Sequence, residues 1–173
     1  MIFVGGVHGV GKTSFCKRIC ERYDISSYTA SQLISRTTEP LSNKKVEDVA
    51  GNQNVLLNAL QELRVGNTWF ILDGHFCLLT HDGTVARIPE PTFVELHPRA
   101  IIVLVDSEER IQGRLLARDG YTTDSVTIRE FQEEEVRYSR HISRMLNVPY
   151  LEHSITDPPN DVYELVKNLA FRQ

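Results

Sequence analysis

The sequence contains no hydrophobic run of membrane-spanning length, and it does not start with a charged stretch leading into a long apolar one. A membrane span and a secretion signal are therefore not expected, and the protein reads as cytoplasmic with no membrane partner. Cysteine is scarce: Cys16, Cys20 and Cys77 make an odd count of three, too few for a disulfide framework. Cys16 and Cys20, four apart, share a helix face. Zinc needs about four ligands, and nothing nearby supplies the rest, so reduced, mostly buried thiols are expected. There is no cationic excess either. Lys and Arg number 19 against 23 Asp and Glu, for a net charge of −4, which argues against a large nucleic-acid surface. Repeats and low-complexity tracts are absent. What remains is 173 residues, 41% hydrophobic and 24% charged, which suits one globular domain with a sizeable core.

The most specific feature lies near the start. Gly6-Val7-His8-Gly9-Val10-Gly11-Lys12-Thr13 reads G-x-x-x-x-G-K-T. Apolar Ile2-Phe3-Val4 precedes it, and a helically spaced segment follows through Tyr23. A strand, a glycine-rich loop and a helix in that order form a phosphate site. The glycines Gly6, Gly9 and Gly11 let the backbone turn and aim N–H groups, with those of His8, Val10 and Ser14, at a polyphosphate. The helix N-terminus adds about half a positive charge behind them. Lys12 is expected to neutralise the β- and γ-phosphates of ATP, and Thr13 to offer its hydroxyl to Mg²⁺.

Further strands are expected at Ser27 to Thr29, Thr68 to Leu72, Ala100 to Val105 and Tyr150-Leu151. Helices are expected at Thr13 to Tyr23, around Leu33-Ile34, at Val55 to Leu63, Ser107 to Ala117, Thr127 to Leu146 and Val162 to Phe171. Residues 74 to 91 read as a loop. Short apolar strands alternating with helices imply βαβ units and a parallel sheet covered on both faces. Ligands then bind beyond the carboxyl ends of the strands. Asp73 and Asp106 fall there, with the glycine-rich loop. Asp73 ends a buried strand beside the phosphate loop and fits the second half of an Mg²⁺ site, with a helix cap or turn as the alternative. His75, two residues on, is given a positioning role at most.

Arginine recurs at 110, 114 and 118, and again at 137, 140 and 144, so each set shares a helix face. The polar loop 119 to 124 joins them. Arg114 and Arg118, next to that loop, suit a lid that clamps transferring phosphates, because guanidinium binds phosphate oxygens bidentately. Arg110 and Arg144 read as solvated partners of neighbouring glutamates.

These motifs together resemble the P-loop nucleoside monophosphate kinases, and most of all the archaeal-type adenylate kinases and their bacterial relatives. The resemblance rests on Gly6 to Thr13, on Ile71-Leu72-Asp73-Gly74-His75, and on Asp82-Gly83 through His97-Pro98. It also rests on Glu109-Arg110-Ile111-Gln112-Gly113-Arg114 with Arg118-Asp119, and on Phe131 to Arg137. It implies an α/β, three-layer fold in a single domain over residues 1 to 173, with a five-stranded parallel sheet of order 2-3-1-4-5. It implies an acceptor-binding insertion near 30 to 66 and a lid near 115 to 127. The implied activity is transfer of the ATP γ-phosphoryl group to a small acceptor, with a nucleoside monophosphate first in line. Lys12, Arg114, Arg118 and Asp73 would be catalytic. Thr13 and Asp73 would hold Mg²⁺, and Arg36, Lys45 and Arg137 would bind the acceptor. Arg36 is one contact for the acceptor phosphate. Lys44 or Lys45 stands where relatives tend to carry arginine, and the lid loop is short and poor in basic residues. The alternatives are a kinase of some other hydroxyl substrate, which would need a base such as Asp73, and an ATPase or switch acting on a protein or nucleic-acid partner.

Overall fold

The computed structural model describes residues 1–37, 55–61, 69–80, 83–120 and 124–171. Its centre is β1 (Ile2–Gly5), four residues that are buried throughout. A strand with no polar face can only sit inside a sheet covered on both sides. Accordingly β1 pairs in parallel with β3 (Phe70–Asp73) on one side and with β6 (Ala100–Val105) on the other. β2 (Ser26–Thr29) extends the sheet beyond β3, and β7 (Tyr150–Ser154) extends it beyond β6. The order β2-β3-β1-β6-β7 is the expected 2-3-1-4-5 once the five parallel strands alone are numbered.

Helices α1 (Lys12–Tyr23) and α2 (Ala30–Thr37) follow the first two strands. Residues 55–61 are also helical. The expected loop at 74 to 91 holds regular structure instead. β4 (Cys77–Leu79) and β5 (Val85–Arg87) form an antiparallel hairpin, and α3 (Glu90–Leu96) follows. The sequence hides the hairpin because each strand has only three residues, too few to show an alternation. α3 is packed through Phe93. The Phe93 ring stacks on Phe76 at 4.9 Å, and Phe3 of β1 meets the edges of both. Burying each such ring is worth about 1.5–3 kcal/mol. Gly5 and Gly74 permit this cluster: a Cβ on Gly5 would lie 2.5 Å from the Phe76 ring, and one on Gly74 2.7 Å from Phe3.

After β6 come α4 (Glu108–Asp119) and α5 (Ser125–Leu146), then β7 and α6 (Asn160–Phe171). The caps are local chemistry. The Ser107 hydroxyl accepts from Arg110 N–H, and the Asp124 carboxylate from Thr127 N–H at 2.9 Å. Gly120 and Asn147 close α4 and α5 in the left-handed region. β7 is longer than the two residues expected, because it pairs with β6 from Tyr150 through Ser154. Among the described residues no helix is long and apolar enough to cross a membrane.

Candidate active site

The glycine-rich loop runs from the end of β1 into α1, and Gly6, Gly9 and Gly11 all take positive φ, at 140, 80 and 108°. Only glycine adopts such angles without strain. Gly9 also packs close: a Cβ there would come 2.8 Å from Leu115 of α4. No side chain caps the start of α1. Its first N–H groups are therefore left for a ligand, as an anion site requires.

Lys12 is only 8% exposed. Its ammonium group donates to Gly6 O at 2.8 Å and Val7 O at 3.2 Å, and it meets His75 Nε2 at 3.4 Å. Burial lowers its pKa, and the nearby charges of Asp73 and Glu135 resist that. Thr13 donates its hydroxyl to Asp73 Oδ2 at 3.0 Å. These are the two oxygens expected to share one Mg²⁺. Asp73 is 6% exposed, and burial raises its pKa against the pull of Lys12 and Thr13. Its position is fixed from behind, where Gly74 N–H donates to Val4 O at 3.0 Å. A hard oxygen pair beside a phosphate loop has the donor chemistry Mg²⁺ takes when phosphate and water complete its shell.

His75 carries an acceptor at Nε2 toward Lys12, while its Nδ1 is buried with no partner among the described residues. Burial first, then the Lys12 charge, holds its pKa well below the ordinary value. His8, from the loop itself, packs on His75 with ring centroids 4.1 Å apart. The residue is exposed overall, yet loss of solvent around the ring, followed by the Lys12 charge, brings its pKa down to about 4. Both imidazoles are thus neutral at pH 7, and neither adds to the cationic charge of the site.

The two arginine faces meet different fates. Arg114 donates Nε to Gly9 O at 2.5 Å and Nη2 to Asp106 Oδ2 at 2.5 Å, so it touches the phosphate loop directly. Arg110 donates to the other Asp106 oxygen at 3.2 Å. Burial would raise the Asp106 pKa, but the hydrogen bonds from Arg114, Ser107 N–H and Arg110 prevail and hold it below the ordinary carboxylate value. Arg118 faces the same cavity as the loop, where both oxygens of its neighbour Asp119 accept from it at 2.8 and 2.6 Å. Arg137 does not join this cavity. It pairs with Glu134 and lines a separate groove with Arg110, Arg140 and Arg144. Of the residues expected to bind the acceptor, Arg137 is thus placed in the groove and not in the cavity at the phosphate loop. Lys45 and Lys44 lie outside the described residues, as does the side chain of Arg36. The expected insertion at 30 to 66 and lid at 115 to 127 are described only in part.

Glu135 was not expected. It is 0% exposed on α5, and its carboxylate accepts from Gly6 N–H and Phe76 N–H at 2.9 Å and from Cys77 N–H at 2.7 Å. Burial raises its pKa; the Phe76 and Gly6 amides and the Lys12 charge oppose the rise. A signal for it exists in the sequence. Ile128, Phe131, Tyr138 and Ile142 mark the buried stripe of α5, and Glu135 stands on that stripe. Cys16, Cys20 and Cys77 are all free thiols, and no group of three or more metal-binding side chains occurs among the described residues.

In front of the loop opens a cavity of about 640 Å³. Lys12, Thr13, Asp73, His75, Arg114 and Arg118 line it together with apolar Ile34, Leu56, Leu78, Ile88, Phe93 and Leu96 and the hydroxyl-bearing Thr29, Ser31 and Thr92. A small molecule seated there would meet both the charged residues of the phosphate loop and apolar side chains.

Solved structures share this architecture. A gluconokinase from Sinorhizobium meliloti 1021 is 19% identical with a TM-score of 0.57, covering 98% of this chain and 95% of its own. A shikimate kinase from Acinetobacter baumannii, in complex with shikimate, is 17% identical with a TM-score of 0.61, covering 98% and 91%. A sugar kinase from Janibacter sp. HTCC2649 is 16% identical with a TM-score of 0.57, covering 96% and 91%. At such identities the likeness establishes the fold, which is that of the P-loop kinases. A search of curated proteins gave no match. The model of one family, described as AAA domain, matches residues 5–132, a span that takes in the glycine-rich loop, Asp73, Asp106 and both cavity-lining arginines; the chain belongs to that family.

Proposed function

We propose that the protein is an ATP-dependent phosphotransferase that moves the γ-phosphoryl group of MgATP to a small acceptor. The observation that carries this reading is the Thr13–Asp73 contact at 3.0 Å beside the buried Lys12, with an acceptor-sized cavity opening directly in front. Lys12 would leave the Gly6 and Val7 carbonyls for phosphate oxygens, a stronger charge-assisted partner. Arg114, bonded to Gly9 O of the loop, would stabilise charge on the transferring group. Thr13 and Asp73 would hold Mg²⁺, which when bound neutralises charge on the β- and γ-phosphates. Phosphoryl transfer asks the protein chiefly for positioning and charge stabilisation; the buried Lys12 and Asp73, with Thr13 bonded to Asp73 and Arg114 to Gly9 O, supply both.

For the acceptor, the reading is a nucleoside monophosphate, in the manner of an adenylate kinase. The cavity lining includes Arg114 and Arg118 for its phosphate, and apolar and hydroxyl-bearing side chains for its base and sugar. A phosphate acceptor is already anionic and needs no base. The second reading is a hydroxyl acceptor, favoured by the burial and raised pKa of Asp73, which suit it to take a proton. The solved relatives named as shikimate kinase and gluconokinase lean the same way. The test is incubation with MgATP and, separately, nucleoside monophosphates, nucleosides, sugar acids and no acceptor, with the products separated by ion exchange. ADP formed only with a monophosphate supports the first reading, and only with a hydroxyl compound the second. ADP formed equally without any acceptor would overturn both in favour of an ATPase.

A further inference from the structure

Helix α5 reaches the phosphate loop through two residues one turn apart, Glu135 directly and Gln132 by way of Asp106 and Arg114. Glu135 takes the entering end: Gly6 N–H donates to its Oε1 at 2.9 Å. The same oxygen accepts Phe76 N–H at 2.9 Å, and Oε2 accepts Cys77 N–H at 2.7 Å. Gln132 reaches the middle of the loop indirectly. Its side-chain amide bonds both the N–H and the carbonyl of Asp106, at 3.1 and 3.0 Å, and Asp106 holds Arg114 against Gly9 O.

We propose that Glu135 is a positioning residue for the metal-assisted step. Its carboxylate ties the first residue of the phosphate loop to the corner just after Asp73, so that Thr13 and Asp73 stay within reach of one ion. The inference rests on the proposed function for the reaction it serves, but the tie itself does not.

The chemistry supports a positioning role over a filling one. A side chain chosen only to fill the core of α5 would be apolar, as Phe131 and Tyr138 are at neighbouring stripe positions. A buried carboxylate is costly unless its oxygens are satisfied. Here three backbone donors from two separate segments satisfy it, and they come from the β1 end and the β3 end, the two strands whose tips carry the site. Thr13 hangs from the first segment through α1. Asp73 stands three residues before Phe76 in the second. Relative movement of the two segments is what would part the 3.0 Å Thr13–Asp73 contact. Groups that support metal ligands from behind typically change metal affinity by about 10- to 100-fold when removed.

The experiment measures ATP affinity with excess Mg²⁺ and with excess EDTA, for the wild type, Glu135→Gln and Glu135→Asp. The ratio of the two affinities reports the metal's contribution and needs no turnover. Glu135→Gln replaces one acceptor with an NH₂ group that faces a backbone N–H. Glu135→Asp keeps the charge but is too short to reach all three amides. The expected result is a ratio about 10-fold or more below wild type in both variants, with ATP affinity in EDTA little changed. An unchanged ratio with only a lower melting temperature would overturn the proposal, since it would make Glu135 a structural residue. A wild-type ratio in Glu135→Asp alone would overturn it too, because charge and not reach would then matter. Should the variants fail to fold, amide hydrogen exchange on the wild type decides. Gly6, Phe76 and Cys77 are expected to open as one unit, and independent exchange of Gly6 would sink the tie. Absence of phosphoryl transfer in the wild type would remove the proposed function while leaving both measurements readable.

Discussion

The phosphate loop and the arginine helices both carry clustered charge, yet their charges are handled in opposite ways. Around the loop, Lys12, Asp73 and Glu135 are buried, and each is held chiefly by backbone or by another site residue. On α4 and α5, Arg110, Arg118, Arg129, Arg137 and Arg140 each lie against a carboxylate of the chain, at exposed positions. Arg114 bridges the two regions, because Asp106 at the tip of β6 holds one end of its guanidinium while the other reaches Gly9 O. Buried charges with fixed partners cost solvation and return geometry. Exposed ion pairs return at most about 1 kcal/mol each and little geometry. Chemistry that depends on position belongs in the first region.

The sharpest way to break that contrast is Lys12→Ala. Turnover of MgATP is expected to fall by about 1,000-fold, the upper range for losing one preorganised charge-stabilising group. Far-UV circular dichroism should be unchanged, because Lys12 bonds loop carbonyls and is not part of the aromatic core. Retained turnover at saturating MgATP would remove the phosphate-loop assignment. Next come Thr13→Val and Asp73→Asn, each expected to lower metal-dependent activity by about 10- to 100-fold, from the usual cost of losing a metal-supporting group. The check is a Mg²⁺ titration of rate, and activity undiminished in excess EDTA would contradict the proposed metal role.

Much of the first region was legible in the sequence because its signals are local. Glycines at fixed offsets, a lysine and a threonine on the next turn, and an aspartate at the end of a buried strand each follow from backbone geometry over a few residues. That the sheet is parallel was legible from the apolar β1, β3 and β6 alternating with helices, whereas its strand order followed from the family resemblance and not from the strands themselves. The arginines were less so. Spacing shows that 110, 114 and 118 share a face, but not that Asp119 takes Arg118 or that Asp106 takes Arg114. Those outcomes depend on where β6 ends relative to the loop. Spacing alone could not show that Arg137 pairs with Glu134 and lines the groove with Arg140 and Arg144 instead of the cavity at the loop. Glu135 lay open to detection as an acid on an apolar stripe. What it bonds could not be foreseen, since Gly6, Phe76 and Cys77 lie 129, 59 and 58 residues away.

Lysine substitutions sharpen the contrast within α4. Arg114→Lys keeps the charge but cannot bond Gly9 O and Asp106 together, so turnover is expected to drop by about 10- to 100-fold with a smaller change in ATP affinity. Arg118→Lys should lose less, because its present partner is the adjacent Asp119 at an exposed position. Arg110→Lys should lose least, since it lines the other groove and its Asp106 contact is the longer of the two. Steady-state kinetics on the three variants gives the order. Equal loss at 114 and 118 would show a shared clamp across the face, and equal loss at all three a general electrostatic effect.

The smallest expected effect is one of pH, and here the two regions should differ in sign. Asp106 has a folded pKa below its unfolded value of about 3.9, set by Arg114, Ser107 N–H and Arg110 against its burial. Its stabilising contribution is therefore complete above that value and is lost as pH falls through the folded pKa. Asp73 is shifted the other way, with burial raising its pKa. A raised carboxylate binds its proton more tightly in the folded state, so its contribution is complete at low pH and is lost as pH rises through the folded pKa. Thermal melts of the wild type, Asp106→Asn and Asp73→Asn between pH 3 and 7 expose the difference. Near pH 7, without nucleotide or metal, Asp106→Asn should melt below the wild type and Asp73→Asn at or above it. Both gaps should close toward the acid end, where the native carboxyls are increasingly protonated and resemble the amides. Should Asp73→Asn instead melt below the wild type at pH 7, by as much as Asp106→Asn does, the Thr13 and Lys12 contacts would outweigh burial at Asp73. The phosphate end would then be a stabilising charge cluster, no different in kind from the arginine faces.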